Sequence, residues 1–152
     1  MAEPGGPISN PLEGHLGYLL RRASSAAMAA LARRLAALGL RPAEASILVL
    51  IEANPEITQS SIGRVLGVQR TNMAPLMAGL MARSLISREP IDRKSHGFQL
   101  TGNGRALASQ VMEQMREHEA DAFGLLSADA LSSLDGQLRK ILEATANPTV
   151  DP

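Results

Sequence analysis

The chain has 152 residues, 45% of them hydrophobic, 20% charged and 2% aromatic, which fits one domain and excludes a disordered polymer. So few aromatics favour packed helices over a β-sandwich, and the absence of cysteine excludes disulfides, thiolate metal sites and thiol redox sensing. Net charge is zero, yet residues 58–105 carry seven Lys/Arg against two acids, a net of +5, and the remainder eight against thirteen, a net of −5. A basic middle between acidic or neutral flanks is the footprint of a module that touches phosphate, although a solvated basic face has the same composition.

The opening MAEPGGPISNP has neither a basic n-region nor an apolar run, so it is not read as a signal peptide. No window approaches the ~20 apolar residues of a membrane span. A soluble, cytoplasmic protein is expected.

From Leu12 to Leu38, Leu12, Leu16, Leu19, Leu20, Ala23, Ala27, Ala30, Leu31, Leu35 and Leu38 recur at helical spacing, predicting one long helix closed by Gly39. Its nearly continuous apolar stripe also suits packing against a second copy. Pro42 marks the next helix start, and residues 43–53 are apolar enough to be buried on several sides. After the Asn54-Pro55 turn, Thr58 caps a short helix stopped by Gly67, with Ile62, Val65 and Leu66 facing inward.

A second helix follows over 71–84, its buried face made of Met73, Leu76, Met77, Leu80 and Met81. The Met73/Met77/Met81 spacing is read as core packing, not as a ligand cage. Pro75 removes an N–H and biases Ala74 away from the helical region, so this helix is expected to kink or to start late. Two short helices about a tight turn make a helix-turn-helix, which places Gln69, Arg70, Thr71 and Asn72 at the DNA-reading end. Arg64 and Arg88 are read as phosphate contacts.

Leu85–Arg88 and Gly97–Leu100 then form a hairpin whose tip holds Asp92-Arg93-Lys94-Ser95. A basic hairpin directly behind a helix-turn-helix reads as a wing, its arginine placed for a minor groove. Thr101 caps a long helix to about Leu126, with Leu107, Val111, Met115, Ala122 and Leu126 on one side. Ser127 caps the last helix, striped by Leu131, Leu134, Leu138, Ile141 and Leu142. The fold expected is mainly α with a β-hairpin wing: a six-helix, single-domain winged helix-turn-helix over 1–152. Its DNA-binding lobe is placed at about 42–103 and its dimerisation helices at about 12–40 and 104–146.

The order of elements and several strings resemble the MarR family of winged helix-turn-helix transcription regulators, from about Leu12 to Ala146. Asp92-Arg93-Lys94, then Leu100-Thr101 and Gly104, is similar to that family's wing pattern. "TQSSIGRVLGVQRTN" and "LMARSLISR" resemble its helix-turn-helix and first wing strand. Between Leu85 and Asp92 the wing is slightly shorter than the usual family form, and Pro75 stands where the family commonly has a polar or basic residue. The resemblance implies a homodimer on pseudo-palindromic double-stranded DNA, usually a repressor released by a small aromatic or phenolic acid or its coenzyme A thioester. It also implies that Asp92 braces the wing while Arg93 enters the minor groove.

Where the first helix meets the DNA-binding lobe, the family's effector pocket would involve His15, Tyr18, Leu19 and Arg22, at spacings that put them on or near one helix face. An arginine beside a tyrosine or histidine suits a carboxylate or phenolate; Arg21 and Arg22 equally suit solvation or intersubunit ion pairs. His15, His96 and His118 show no metal-ligand spacing, so neither metal nor cofactor is expected. No glycine-rich phosphate loop, G-x-S-x-G or H-E-x-x-H occurs, so an enzyme is not expected. An architectural DNA binder without effector, and a helical module for an acidic protein, remain as alternatives.

Overall fold

The computed structural model describes residues 8–91 and 95–146. Among these, six helices and one hairpin follow in the order α1 (Leu16–Ala36), α2 (Pro42–Ala53), α3 (Gln59–Leu66), α4 (Arg70–Ala82), β1 (Ile86–Pro90), β2 (His96–Leu100), α5 (Gly102–Phe123) and α6 (Ala128–Ala146). The chain divides into two compact units, Met1–Met115 and Arg116–Pro152, with the division inside α5.

The expected first helix is in fact two pieces. Pro11–Gly14 makes a 3₁₀ turn, capped where the Asn10 side chain accepts from the Leu12 N–H at 3.2 Å. His15 is extended, with φ −105° and ψ 121°, so α1 starts only at Leu16. Proline at a first turn and a side-chain cap before it define a short helix of their own, which apolar periodicity alone does not separate from its neighbour.

The local signals of the next elements hold. Pro42 opens α2, and Glu44 Oε2 accepts from the Arg41 N–H at 2.8 Å. Thr58 Oγ1 accepts from the Ser61 N–H at 3.2 Å to cap α3. Gly67 ends it at φ 64°, ψ 26°, a left-handed conformation that glycine adopts without a Cβ penalty. A Cβ on Gly63 would lie 3.1 Å from the Val68 carbonyl oxygen and 3.3 Å from Met73 Cγ, so α3 approaches α4 closely there.

α4 begins at Arg70, one residue before the expected start, and is one uninterrupted helical segment through Pro75. A late start is therefore overturned. Proline at position 75 has no N–H to donate to the Thr71 carbonyl, so the helix gives up one early bond, while the Met73 N–H still reaches the Gln69 carbonyl at 3.1 Å. Met73 before it and Met77 and Leu80 after it are buried and hold the helix down.

Those three join Leu35, Leu40, Ile47, Leu48, Ile51 and Ile62 in the core of the first unit, with Phe98, Leu100, Ala108 and Val111 added from β2 and α5. Two inward assignments fail: Val65 is 62% exposed and Met81 37% exposed. Both are at the edge of a helical stripe, where the period alone does not say how wide the covered face is. In the second unit Ala122 and Leu126 are exposed, and on α6 so are Leu131, Leu134, Ile141 and Leu142.

The hairpin pairs Ile86 with Leu100, Arg88 with Phe98 and Pro90 with His96. β2 is held on its other edge as well. Phe98 N–H donates to the Ile57 carbonyl at 3.0 Å, and Glu56 N–H donates to the Phe98 carbonyl at 3.1 Å. At the hairpin base, Thr101 Oγ1 donates to the Ser84 carbonyl at 2.7 Å and accepts from the Gly104 N–H at 3.0 Å. A Cβ on Gly104 would run into the Leu85 carbonyl, and one on Gly97 into the Glu56 backbone. Gly97→Ala and Gly104→Ala are each expected to destabilise the protein by ~1–3 kcal/mol, the usual range for forced overpacking. Urea unfolding followed by circular dichroism checks this.

Candidate nucleic-acid interface

Of the residues expected to contact DNA, Arg64, Arg70, Arg88 and Ser95 line clefts of the first unit. Gln69 caps α4 in extended geometry, and Arg70, Thr71 and Asn72 follow on its first turn. All four are exposed. Arg64 lies exposed in the last turn of α3, and Arg88 exposed in the middle of β1. Ser95, half-buried, precedes β2, its carbonyl accepting from the Ile91 N–H at 2.9 Å. Arg93 and Lys94, with Asp92, lie outside the described residues.

Two open clefts bring several of these together. One, of ≈ 440 Å³, is lined by Gln59, Ser60, Gly63, Arg64, Val68, Arg70 and Met73. The other, of ≈ 430 Å³, is lined by Thr58, Gln59, Ser60, Arg70, Met81, Arg88, Ser95, His96 and Phe98. Arg70 and the first turn of α3 are common to both. Among the described residues no carboxylate lines either cleft. The arrangement is chemically an anion seat: guanidinium donors, small hydroxyls and a helix start whose N–H groups carry partial positive charge. Sequence reasoning passed over Gln59 and Ser60; the polar first turn behind Thr58 was the available signal. Met81, expected in the core, instead contributes the floor of the second cleft.

The other expected cluster lies at the start of α1. Tyr18 is half-buried, while His15, Leu19 and Arg22 are exposed. His15 is the residue before α1, not a member of its face, although its carbonyl accepts from the Tyr18 and Leu19 N–H groups at 3.0 and 3.1 Å. Tyr18 Oη accepts from Arg22 Nη1 at 3.3 Å and from Asn10 Nδ2 at 3.0 Å. The Arg21 and Arg22 guanidinium carbons stand 5.3 and 5.9 Å from the centre of its ring, within cation–π range. Asn10 and Arg21 are thus additions to the expected set.

The hydrogen bond from Arg22, then that from Asn10, holds the Tyr18 phenol below the ordinary tyrosine value. A depressed acid favours its ionised form in the folded state. Its contribution to stability is therefore present at alkaline pH and lost as pH falls through the folded-state value. Tyr18 is the sole tyrosine and the chain has no tryptophan, so ultraviolet phenolate absorbance reports this group alone. In Arg22→Ala the titration is expected to move to higher pH than in the parent. A midpoint that does not move would remove Arg22 as the cause.

The family model for the MarR family matches residues 38–94, which span the helix-turn-helix and β1. A putative transcriptional regulatory protein for the hcr operon of Thauera aromatica is 26% identical over 137 residues, 88% of this chain and 82% of the relative. The structure of the transcriptional repressor CouR bound to a 23-mer DNA duplex superposes with a TM-score of 0.82 at 32% identity, covering 90% of this chain and 99% of that one. CouR bound to p-coumaroyl-CoA gives a TM-score of 0.79 at 29% identity, covering 90% and 97%. No helix among the described residues is long and apolar enough to cross a membrane. The chain belongs to the MarR family of winged helix-turn-helix transcription regulators, which are not enzymes.

Proposed function

We propose that the protein is a homodimeric repressor that reads a pseudo-palindromic operator and leaves it on binding an aromatic or phenolic acid or the coenzyme A thioester of one. The observation that carries the DNA half is the pair of carboxylate-free clefts meeting at Arg70, beside the exposed Gln69–Asn72 turn. Arg64, Arg70 and Arg88 position the lobe on phosphates. Gln69, Thr71 and Asn72 meet base edges in the major groove, and Arg93, Lys94 and Ser95 extend the contact from the wing. The similarity to CouR bound to a 23-mer DNA duplex supports the DNA-binding reading.

The dimer reading rests on uncovered apolar surface. Leu16 is 83% exposed, and Leu19, Leu20 and Met28 are also exposed on α1; α6 separately leaves Leu131, Leu134, Ile141 and Leu142 uncovered. A second copy is the simplest cover for such faces. The effector reading rests on the Tyr18–Arg22 pair beside His15 and Leu19, and on the thioester-bound relative. A guanidinium already aimed at a phenol oxygen exchanges that partner readily for a ligand carboxylate or phenolate.

Sedimentation at low micromolar concentration is expected to show a dimer; a monomer contradicts the palindrome reading. On a duplex selected from a random pool, Asn72→Ala and Arg93→Ala are expected to lose about 1–3 kcal/mol. Lys94→Ala and Arg88→Ala should instead weaken selected and random duplexes alike and flatten the salt dependence by about 0.9 per phosphate contact removed. If none of the four variants differs from the parent, the face is a solvated one. p-Coumaroyl-CoA or free p-coumarate is expected to weaken DNA binding by roughly 5–150-fold, the usual span of allosteric coupling, and Arg22→Ala to reduce that response.

A further inference from the structure

The inner face of the hairpin changes character along its length. Cross-strand partners share a face, so the register puts Ile86, Arg88 and Pro90 on the same side as Leu100, Phe98 and His96. Ile86, Phe98 and Leu100 sink into the core. Arg88 and His96, farther out, stay exposed and line the cleft that also holds Thr58, Gln59, Ser60 and Arg70. Arg88 and His96 are diagonal neighbours in the ladder.

Among the described residues, the charged groups that line this cleft with the imidazole are of one sign. α4 contributes Arg70 and β1 contributes Arg88, whereas the α3 side offers only Thr58, Gln59 and Ser60. Glu89 is paired with Gly97, so it belongs to the opposite face of the hairpin. The Glu56 backbone lies against Gly97. Asp92, Arg93 and Lys94 of the connecting turn lie outside the described residues.

We propose that His96 is a conditional cation of this cleft: each protomer takes up a proton at His96 when a DNA phosphate enters, so that DNA affinity rises as pH falls. The inference rests on the DNA-binding reading above. Histidine is the side chain that changes charge between about pH 5 and 8. Phosphate oxygens only accept hydrogen bonds, and both imidazolium nitrogens donate. A phosphate held by Arg70 and Arg88 therefore favours the charged ring over the neutral one. The complex then holds more protons than the separated partners, and mass action makes binding tighter at low pH and weaker at high pH.

The test measures binding of the full chain to a duplex selected from a random pool, at about pH 6 and about pH 8 across a salt series. The parent is expected to bind on the order of fivefold tighter per protomer at the lower pH. Its salt dependence there should be steeper by about 0.9 for each histidine charged. His96→Gln should lose most of this pH response, and His96→Arg should bind tightly with the steep salt dependence at both pH values. Circular dichroism confirms that both variants fold. Full pH response in His96→Gln, or none in a parent that binds DNA, overturns the proposal and leaves the DNA reading intact. A parent that binds no duplex at either pH overturns the DNA reading, and the proposal with it.

Discussion

The geometry of the proposed DNA-binding face depends on one strand being hydrogen-bonded along both edges. A two-stranded hairpin alone is marginal in water, and this one carries charge toward its tip. β2 gains a second partner in Glu56 and Ile57, which ties the hairpin to the link between α2 and α3. Phe98, buried at the junction, adds apolar area to the same joint. Because Gly97 lets the Glu56 backbone lie directly against the strand, the joint is narrow and its register is fixed. Thr101 fastens the other end, where its hydroxyl bridges the Ser84 carbonyl and the start of α5. The base of the hairpin is thus held at both ends by hydrogen bonds to neighbouring backbone.

That rigidity has an electrostatic consequence. Arg70 stands on α4 and Arg88 on β1, yet both line one cleft with the first turn of α3. Like charges are brought together without a carboxylate among the lining residues, at some cost to the free protein. A polyanion removes that cost on binding, releases its own counterions and adds directed hydrogen bonds to guanidinium groups. A salt-bridged surface would offer none of these gains. On the proposed reading, a chain of zero net charge still offers phosphate a basic face, because thirteen of its fifteen acids lie outside residues 58–105.

What the sequence disclosed was local. Thr58, Gly67, Thr101 and Ser127 each announce an element boundary through chemistry within a few residues, and each boundary is found there. The helix-turn-helix and hairpin were legible for the same reason, as was the position of Gln69–Asn72 at the start of α4. Non-local facts were not. No nearby residue signals that Phe98 pairs with Ile57, or that Glu56 and Ser84 take positive φ without being glycine. Val65 and Met81 fit the helical period but fall outside the covered arc, which depends on how neighbouring helices approach. His15 fits the period of α1 while standing before it, because Asn10 and Pro11 start a separate turn. The Asn10–Tyr18 bond joins residues whose types suggest nothing individually.

Hydroxyl-radical footprinting of the parent on a selected duplex tests most directly whether this face is the DNA-reading surface of a symmetric repressor. The account predicts two protected backbone segments about one DNA turn, ~10 base pairs, apart. The Arg88→Ala variant should lose protection at the outer edge of each segment, where the wing reaches. A single continuous footprint without two-fold symmetry, or one unaltered by removing Arg88, would contradict it.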